Sequence, residues 1–157
     1  MISAITLLQI SVGLHAVFAI SFIGVAGANS VIGPMSRENP QHALFALKVS
    51  SKMHNTMVLP GIIGVFVTGC YQMIEGNWGS DAIWLHVSLA IFAIMVFLSL
   101  FVLHPANKTA IAELEAQTEP GPPSEKFQSA VGKLGKIGPF MGIMLILIGF
   151  LMAAKPF

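Results

Sequence analysis

Four stretches of the chain, residues 1–36, 53–74, 82–107 and 137–154, carry no Lys, Arg, Asp or Glu. The charged residues collect in the blocks between them. A helix needs roughly 20 apolar residues to cross the hydrocarbon core of a bilayer, and each stretch meets or approaches that length. None shows the strict alternation of a transmembrane barrel strand. Backbone groups in lipid must find partners within the chain, so helices are predicted at residues 5–29, 55–74, 82–104 and 138–154. The predicted fold is all-α. It is a polytopic membrane protein, an antiparallel bundle of four transmembrane helices forming a single membrane domain over residues 1–157, with long loops at 34–53 and 105–136.

The first stretch contains Ala26-Gly27-Ala28, which looks like a signal-cleavage site. No positive charge precedes the apolar run, and the run exceeds a normal signal core, so it reads as a retained helix.

Composition supports the same class. Of 157 residues, 55% are hydrophobic and 10% are charged, against roughly 25% charged in an average soluble domain. A net charge of +1 and the lack of a basic stripe exclude nucleic acid as a partner. The partner is the lipid bilayer. The single cysteine, Cys70, excludes an internal disulfide, a Cys-x-x-Cys pair and covalent haem attachment. It reads as a small apolar helix residue.

Charge also sets the orientation. Arg37, Lys48 and Lys52 follow helix 1, and Lys108, Lys126, Lys133 and Lys136 follow helix 3. The opposite side has only Lys155, beside Glu75 and Asp81. The positive-inside rule puts both long loops in the cytoplasm and both termini outside. Residues 41–53 either extend helix 2 or lie on the surface. In the second long loop, Pro120-Gly121-Pro122-Pro123 breaks the chain. Beyond it, Phe127, Val131 and Leu134 at helical spacing predict either an interfacial helix on acidic headgroups or a linker with one amphipathic turn.

Small residues predict where helices meet. Gly138, Gly142 and Gly149 lie on helix 4, Gly61, Gly64 and Thr68 on helix 2, and Gly24 and Ala28 on helix 1. These faces suit a tight bundle, a homo-oligomer or a larger membrane complex. Pro60 is expected to kink helix 2. Trp78 and Trp84 are expected to anchor at the interface opposite the lysines.

The five histidines carry the candidate chemistry, because an ionisable side chain inside a bilayer is costly. His15 lies in helix 1 on a face with Ser11, Phe22 and Asn29. His54 opens helix 2 on a stripe with Gly61, Thr68 and Gln72. His86 and His104 share a face of helix 3, about 27 Å apart along the axis. By depth, two cross-helix pairs are possible, His15 with His86 and His54 with His104. Imidazole ligates haem iron, copper and zinc. Haem b between helices 1 and 3 would take His15 and His86 as iron ligands, with Phe18, Phe22, Ala90, Ala93 and Phe97 as walls. The alternative for each is structural: a hydrogen bond across the bundle for His15 and His86, and a helix-end role at the boundary for His54 and His104. His42 reads as an exposed loop residue. Met141 and Met144 read as core filler or as soft ligands. No phosphate loop, nucleophile elbow or intramembrane carboxylate pair is present.

Several elements together resemble a known group: His15 in helix 1, Leu59-Pro60-Gly61 early in helix 2, Trp84-Leu85-His86 opening helix 3, and the ending Lys155-Pro156-Phe157. The chain is similar to the small four-helix bacterial membrane proteins around the HemJ-type protoporphyrinogen oxidases. It is also similar to a neighbouring group of predicted integral membrane proteins. The HemJ-type resemblance implies a bacterial inner membrane, b-type haem and porphyrinogen oxidation. The chain has Ala28-Asn29-Ser30 where that group ends helix 1 in Pro-Arg, and Ser88 where it has a lysine. Both changes remove cations that would hold porphyrinogen carboxylates, so the resemblance implies haem binding more than enzymatic oxidation. Three functions follow as expectations. The first is a haem-b protein in electron transfer or porphyrin-linked redox chemistry. The second is an accessory subunit of a respiratory or photosynthetic complex without its own cofactor. The third is a copper- or metal-handling protein.

Overall fold

The computed structural model describes residues 6–38, 40–76, 82–117 and 121–156, and of residues 36–38 and 40 the backbone only. The described residues form four long helices and no strands. These are α1 (Leu7–Glu38), α2 (Ala43–Glu75), α3 (Ile83–Ala116) and α4 (Glu125–Ala154). All four are long and apolar enough to span a membrane. A short 3-10 turn, Pro40–His42, leads into α2.

The helices run well past the uncharged stretches. At 1.5 Å per residue, the 33 residues of α2 measure about 50 Å, against about 30 Å of hydrocarbon. Much of the two expected loops is therefore helix: residues 43–53 belong to α2, 105–116 to α3 and 125–136 to α4. The physical reason is that loss of hydropathy marks the edge of the hydrocarbon and not the end of a helix. Lys48, Lys52, Lys108, Glu113 and Glu115 are good helix formers. Phe127, Val131 and Leu134 accordingly lie in the first turns of α4. They pack with Leu47 against buried Ala106, Ala110 and Ala130, so protein and not headgroups covers that apolar face. Ser124 caps α4, its Oγ accepting from Phe127 N at 3.1 Å. The same hydroxyl donates to Glu113 Oε2 at 2.7 Å, tying the start of α4 to α3.

Two prolines shape the interior of the bundle. In α2 a π turn spans His54–Val58, closed by the Leu59 N–H on the His54 carbonyl, and Pro60 follows. In α3 a π turn spans Ser99–Leu103, closed by the His104 N–H on the Ser99 carbonyl, and Pro105 follows. A proline ring clashes with the carbonyl four residues back. A π turn is wider than an α turn, and each helix continues through it and the proline. Pro60 is thus absorbed without ending the helix.

Packing is uneven around the bundle. α1 lies on α2, and α3 lies on α4, along most of their lengths. α1 also touches α4. α2 and α3 meet through Ala43–Met53 and His104–Ala116, at the lysine-rich end, whereas their other halves, Leu59–Glu75 and Ile83–Leu98, have little or no contact. Trp84, Ile91, Met95 and Leu151 form the core between α3 and α4, with Met141 and Met144 packed against it. These methionines are core filler. Trp84 is buried there, with Lys155 Nζ 5.6 Å from its ring centroid, so the expected belt position does not hold for it. Trp78 lies outside the described residues.

The expected glycine faces are only partly used. A Cβ at Gly64 would fall inside the Phe18 ring, and one at Gly61 would lie 3.3 Å from Phe22. These glycines let α1 and α2 approach closely. A Cβ at Gly24, Gly138, Gly142 or Gly149 would meet nothing within 4 Å. Those positions face out of the bundle.

Candidate functional site: four helix-borne histidines

A polar seam joins α1 to α2. Ser11 and Thr68 are buried in it. Thr68 Oγ1 donates to the Gly64 carbonyl at 2.6 Å, and Ser11 Oγ donates to the Thr68 carbonyl at 3.4 Å. Gln72 Nε2 donates to the Ser11 carbonyl at 3.2 Å. The expected face of Ser11 and His15 on helix 1, and the expected stripe of Gly61, Thr68 and Gln72 on helix 2, meet along this seam.

His15 is held in the seam, with its Nδ1 2.9 Å from Thr68 Oγ1. A threonine hydroxyl has one hydrogen, so the direction of the His15–Thr68 bond follows the ring's tautomer: Nδ1 donates when that hydrogen goes to the Gly64 carbonyl, and accepts when it goes to the ring. A Cβ on Gly69 would lie 3.3 Å from His15 Cε1, so that glycine gives the ring its place.

His86 is anchored through the same ring nitrogen, and here the partner fixes the direction. Its Nδ1 lies 3.1 Å from the Ala82 carbonyl, which can only accept, so Nδ1 donates and Nε2 is free. The side chain is exposed at the outside of the bundle. His15 thus turns to α2, and His86 bonds its own helix. The expected haem walls divide similarly: Phe18 and Phe22 pack on Gly64 and Gly61, whereas Ala90, Ala93 and Phe97 are exposed. No slot between α1 and α3 lined by all five is formed, because the close approach of α1 to α2 takes both phenylalanines.

The other expected pair does come together. The His54 and His104 rings stack with centroids 4.3 Å apart and planes 17° apart. They sit where α2 and α3 meet, each at one end of its π turn. His54 Nε2 and His104 Nδ1 are buried and have no hydrogen-bond partner. Leaving such an atom unsatisfied costs about 1–3 kcal/mol. Asn107, buried one turn beyond His104, donates from Nδ2 to the Leu47 carbonyl at 3.0 Å. Lys48 Nζ pairs with Glu115 Oε1 at 2.7 Å. His42 is exposed, as expected, with its Nε2 3.5 Å from Gln41 Nε2. Cys70 is exposed too.

Sequence reading missed the roles of three polar residues. Thr68 as the partner of His15 depended on knowing that α1 faces α2. Asn107 looked like the edge of a loop. Ser88, fully buried with an unpartnered hydroxyl, had a signal: it falls on the helical stripe Trp84, Ser88, Ile91, Met95.

Among the described residues no group of three or more His, Cys, Asp or Glu side chains clusters as a metal site. An open apolar groove of about 610 Å³ runs along one flank of α1 and α2, over Leu14, Phe18, Leu59, Ile63 and Val67.

Four membrane-spanning helices, with an imidazole in a buried seam and a stacked imidazole pair at one end, define a small polytopic membrane protein. The chain belongs to the predicted integral membrane protein family DUF2269, which it matches over residues 9–156. No curated protein and no solved structure matches it.

Proposed function

We propose that the protein binds haem b within the membrane and works in electron transfer, with His15 as the first iron ligand to consider and His86 as the second. The supporting observation is that each ring is anchored at Nδ1, His15 by Thr68 and His86 by the Ala82 carbonyl, to which His86 donates. A hydrogen bond at one imidazole nitrogen that orients the ring and strengthens the other nitrogen is how proteins prepare a metal-binding histidine. The donor atoms therefore fit haem iron. The divided walls fit one imidazole per iron better than one haem bridging α1 and α3. Bound haem would supply one-electron chemistry. This chain would hold the iron ligand through Thr68 and keep water away with apolar helix faces. Porphyrinogen oxidation, as the HemJ-type resemblance implies, is the enzymatic form of the same reading.

The proposed location is a bacterial inner membrane, with the lysine-rich end in the cytoplasm and both termini outside. A C-terminal fusion to a reporter active only in the cytoplasm should be inactive.

The decisive measurement on haem is an absorption spectrum of detergent-purified protein, expressed with haem supplied. A Soret band that His15→Ala removes and His42→Ala keeps is the expected result. Protein without any Soret band ends the reading. A second reading is an accessory subunit of a larger complex. It is favoured by Gly138, Gly142 and Gly149, which leave α4 open to close approach by another helix. Co-purification of a large membrane partner, with no cofactor in the isolated chain, would select it.

A further inference from the structure

We propose that the stacked His54 and His104 rings form an acid-released latch between α2 and α3. Neutral, they hold the two helices together at the lysine-rich end; protonated, they let them part. The rings come from different helices and lie face to face, with centroids 4.3 Å apart and planes 17° apart. One nitrogen of each, His54 Nε2 and His104 Nδ1, is buried and has no hydrogen-bond partner. A neutral imidazole has one N–H and can carry it on the other nitrogen, leaving the buried one bare. An imidazolium carries N–H on both nitrogens. Charging either ring therefore puts a donor where nothing accepts it, and a buried donor without an acceptor is costly. Charging both adds repulsion between like charges at the stacking distance.

The surroundings give an imidazolium no relief. Among the described residues no carboxylate pairs with either ring. Lys108, one turn beyond His104, acts on both rings with its positive charge. At the same level Lys52 precedes His54 by two residues on α2, and Lys133 lies one turn beyond Ala130 on α4, which packs with Ala106. α1 carries no Lys, Arg, Asp or Glu between Leu7 and Met35. The nearest carboxylates on α3 are engaged elsewhere, Glu115 with Lys48 and Glu113 with Ser124. The stack also sits where α2 and α3 meet, while their halves Leu59–Glu75 and Ile83–Leu98 have little or no contact. Release of the stack leaves Asn107 and the Lys48–Glu115 pair as the polar tether. Each ring lies at one end of a π turn next to a proline, and helices bend most readily at such places. The latch uses neither His15 nor His86, so it stands or fails apart from the haem reading.

The test measures the distance between α2 and α3 in the full chain, purified in detergent without haem. Spin labels on Thr56→Cys and Thr109→Cys, both exposed positions, in a Cys70→Ala background report it by pulsed electron resonance. Samples at about pH 8 and about pH 5 bracket the ordinary range of histidine. The labelled parent is expected to show a longer and broader distance in the acid sample, reversed when the pH is restored. The double variant His54→Phe, His104→Phe keeps two flat rings without a titrating nitrogen, so its distance should be the same in both samples. A parent whose distance does not change overturns the proposal. So does a change that the double variant reproduces, since His15, His86 and the Lys48–Glu115 pair all remain in it. Should the double variant fail to fold, His54→Phe and His104→Phe decide singly: each should respond less than the parent, and a full response in both overturns the latch.

Discussion

Thr68 anchors the His15 ring, with its hydroxyl 2.9 Å from Nδ1. Thr68→Val keeps the shape of the side chain but removes the hydrogen-bond partner. The His15 Nδ1 is then left unpaired in the seam, at a cost of about 1–3 kcal/mol, and the ring loses its anchor. Reduced thermal stability in detergent is expected, together with a weaker or shifted Soret band if haem is bound. Unchanged stability would mean that the seam does not hold the ring. Ser88 makes the opposite case. Its hydroxyl is buried with no partner, so Ser88→Ala removes an unsatisfied group and should leave the melting temperature unchanged or higher. A clear drop would show that the hydroxyl has a partner after all. Neither role can be read from residue type, because each depends on which neighbouring helix the side chain meets.

Charge-free stretches located the four helices because hydrocarbon excludes charge, and that rule is nearly absolute. They did not locate helix ends, since lysine and glutamate propagate helix once outside the lipid. Depth allowed two histidine pairs, and only His54 with His104 comes together; His15 turns to Thr68 instead. The open space beside Gly138, Gly142 and Gly149 was not legible, since a glycine stripe says that close approach is possible and not that it happens here. Both π turns sit just before a proline, whereas Pro34 in α1 and Pro139 in α4 lie within α-helix without one. Removing a proline from an ordinary helix interior should stabilise it by about 3 kcal/mol. Here the wide turn has already relieved the clash, and ring stacking depends on the geometry it creates. Pro60→Ala and Pro105→Ala are therefore expected to gain less than about 1 kcal/mol, measured by unfolding in detergent. A gain near the full value would show that the prolines are still straining their helices. Close packing elsewhere is less forgiving. Gly64→Ala forces a Cβ into the Phe18 ring, and overpacking of this kind costs about 1–3 kcal/mol.

At the level of the molecule, two helix pairs are joined strongly within themselves and held to each other more selectively. α2 and α3 meet at the lysine-rich end, and three kinds of contact act there. The small alanines at 106, 110 and 130 allow close approach. Lys48 and Glu115 form an ion pair in which both side chains are about half exposed, so it is worth no more than about 1 kcal/mol. Asn107 is buried and bonds the Leu47 carbonyl of the facing helix. Physical chemistry ranks these contacts differently from their appearance. The ion pair is shorter, but water competes with it, whereas nothing replaces the amide once the interface is dry. Asn107→Ala should therefore cost about 1–3 kcal/mol, and Glu115→Gln less than about 1 kcal/mol. The two variants should also differ in salt dependence, because only the exposed pair is screened. Unfolding of both in detergent at low and high salt tests this order. If Glu115→Gln proved the more damaging, the two halves of the bundle would be held by surface charge, and the stacked histidines would sit at an interface that salt can open.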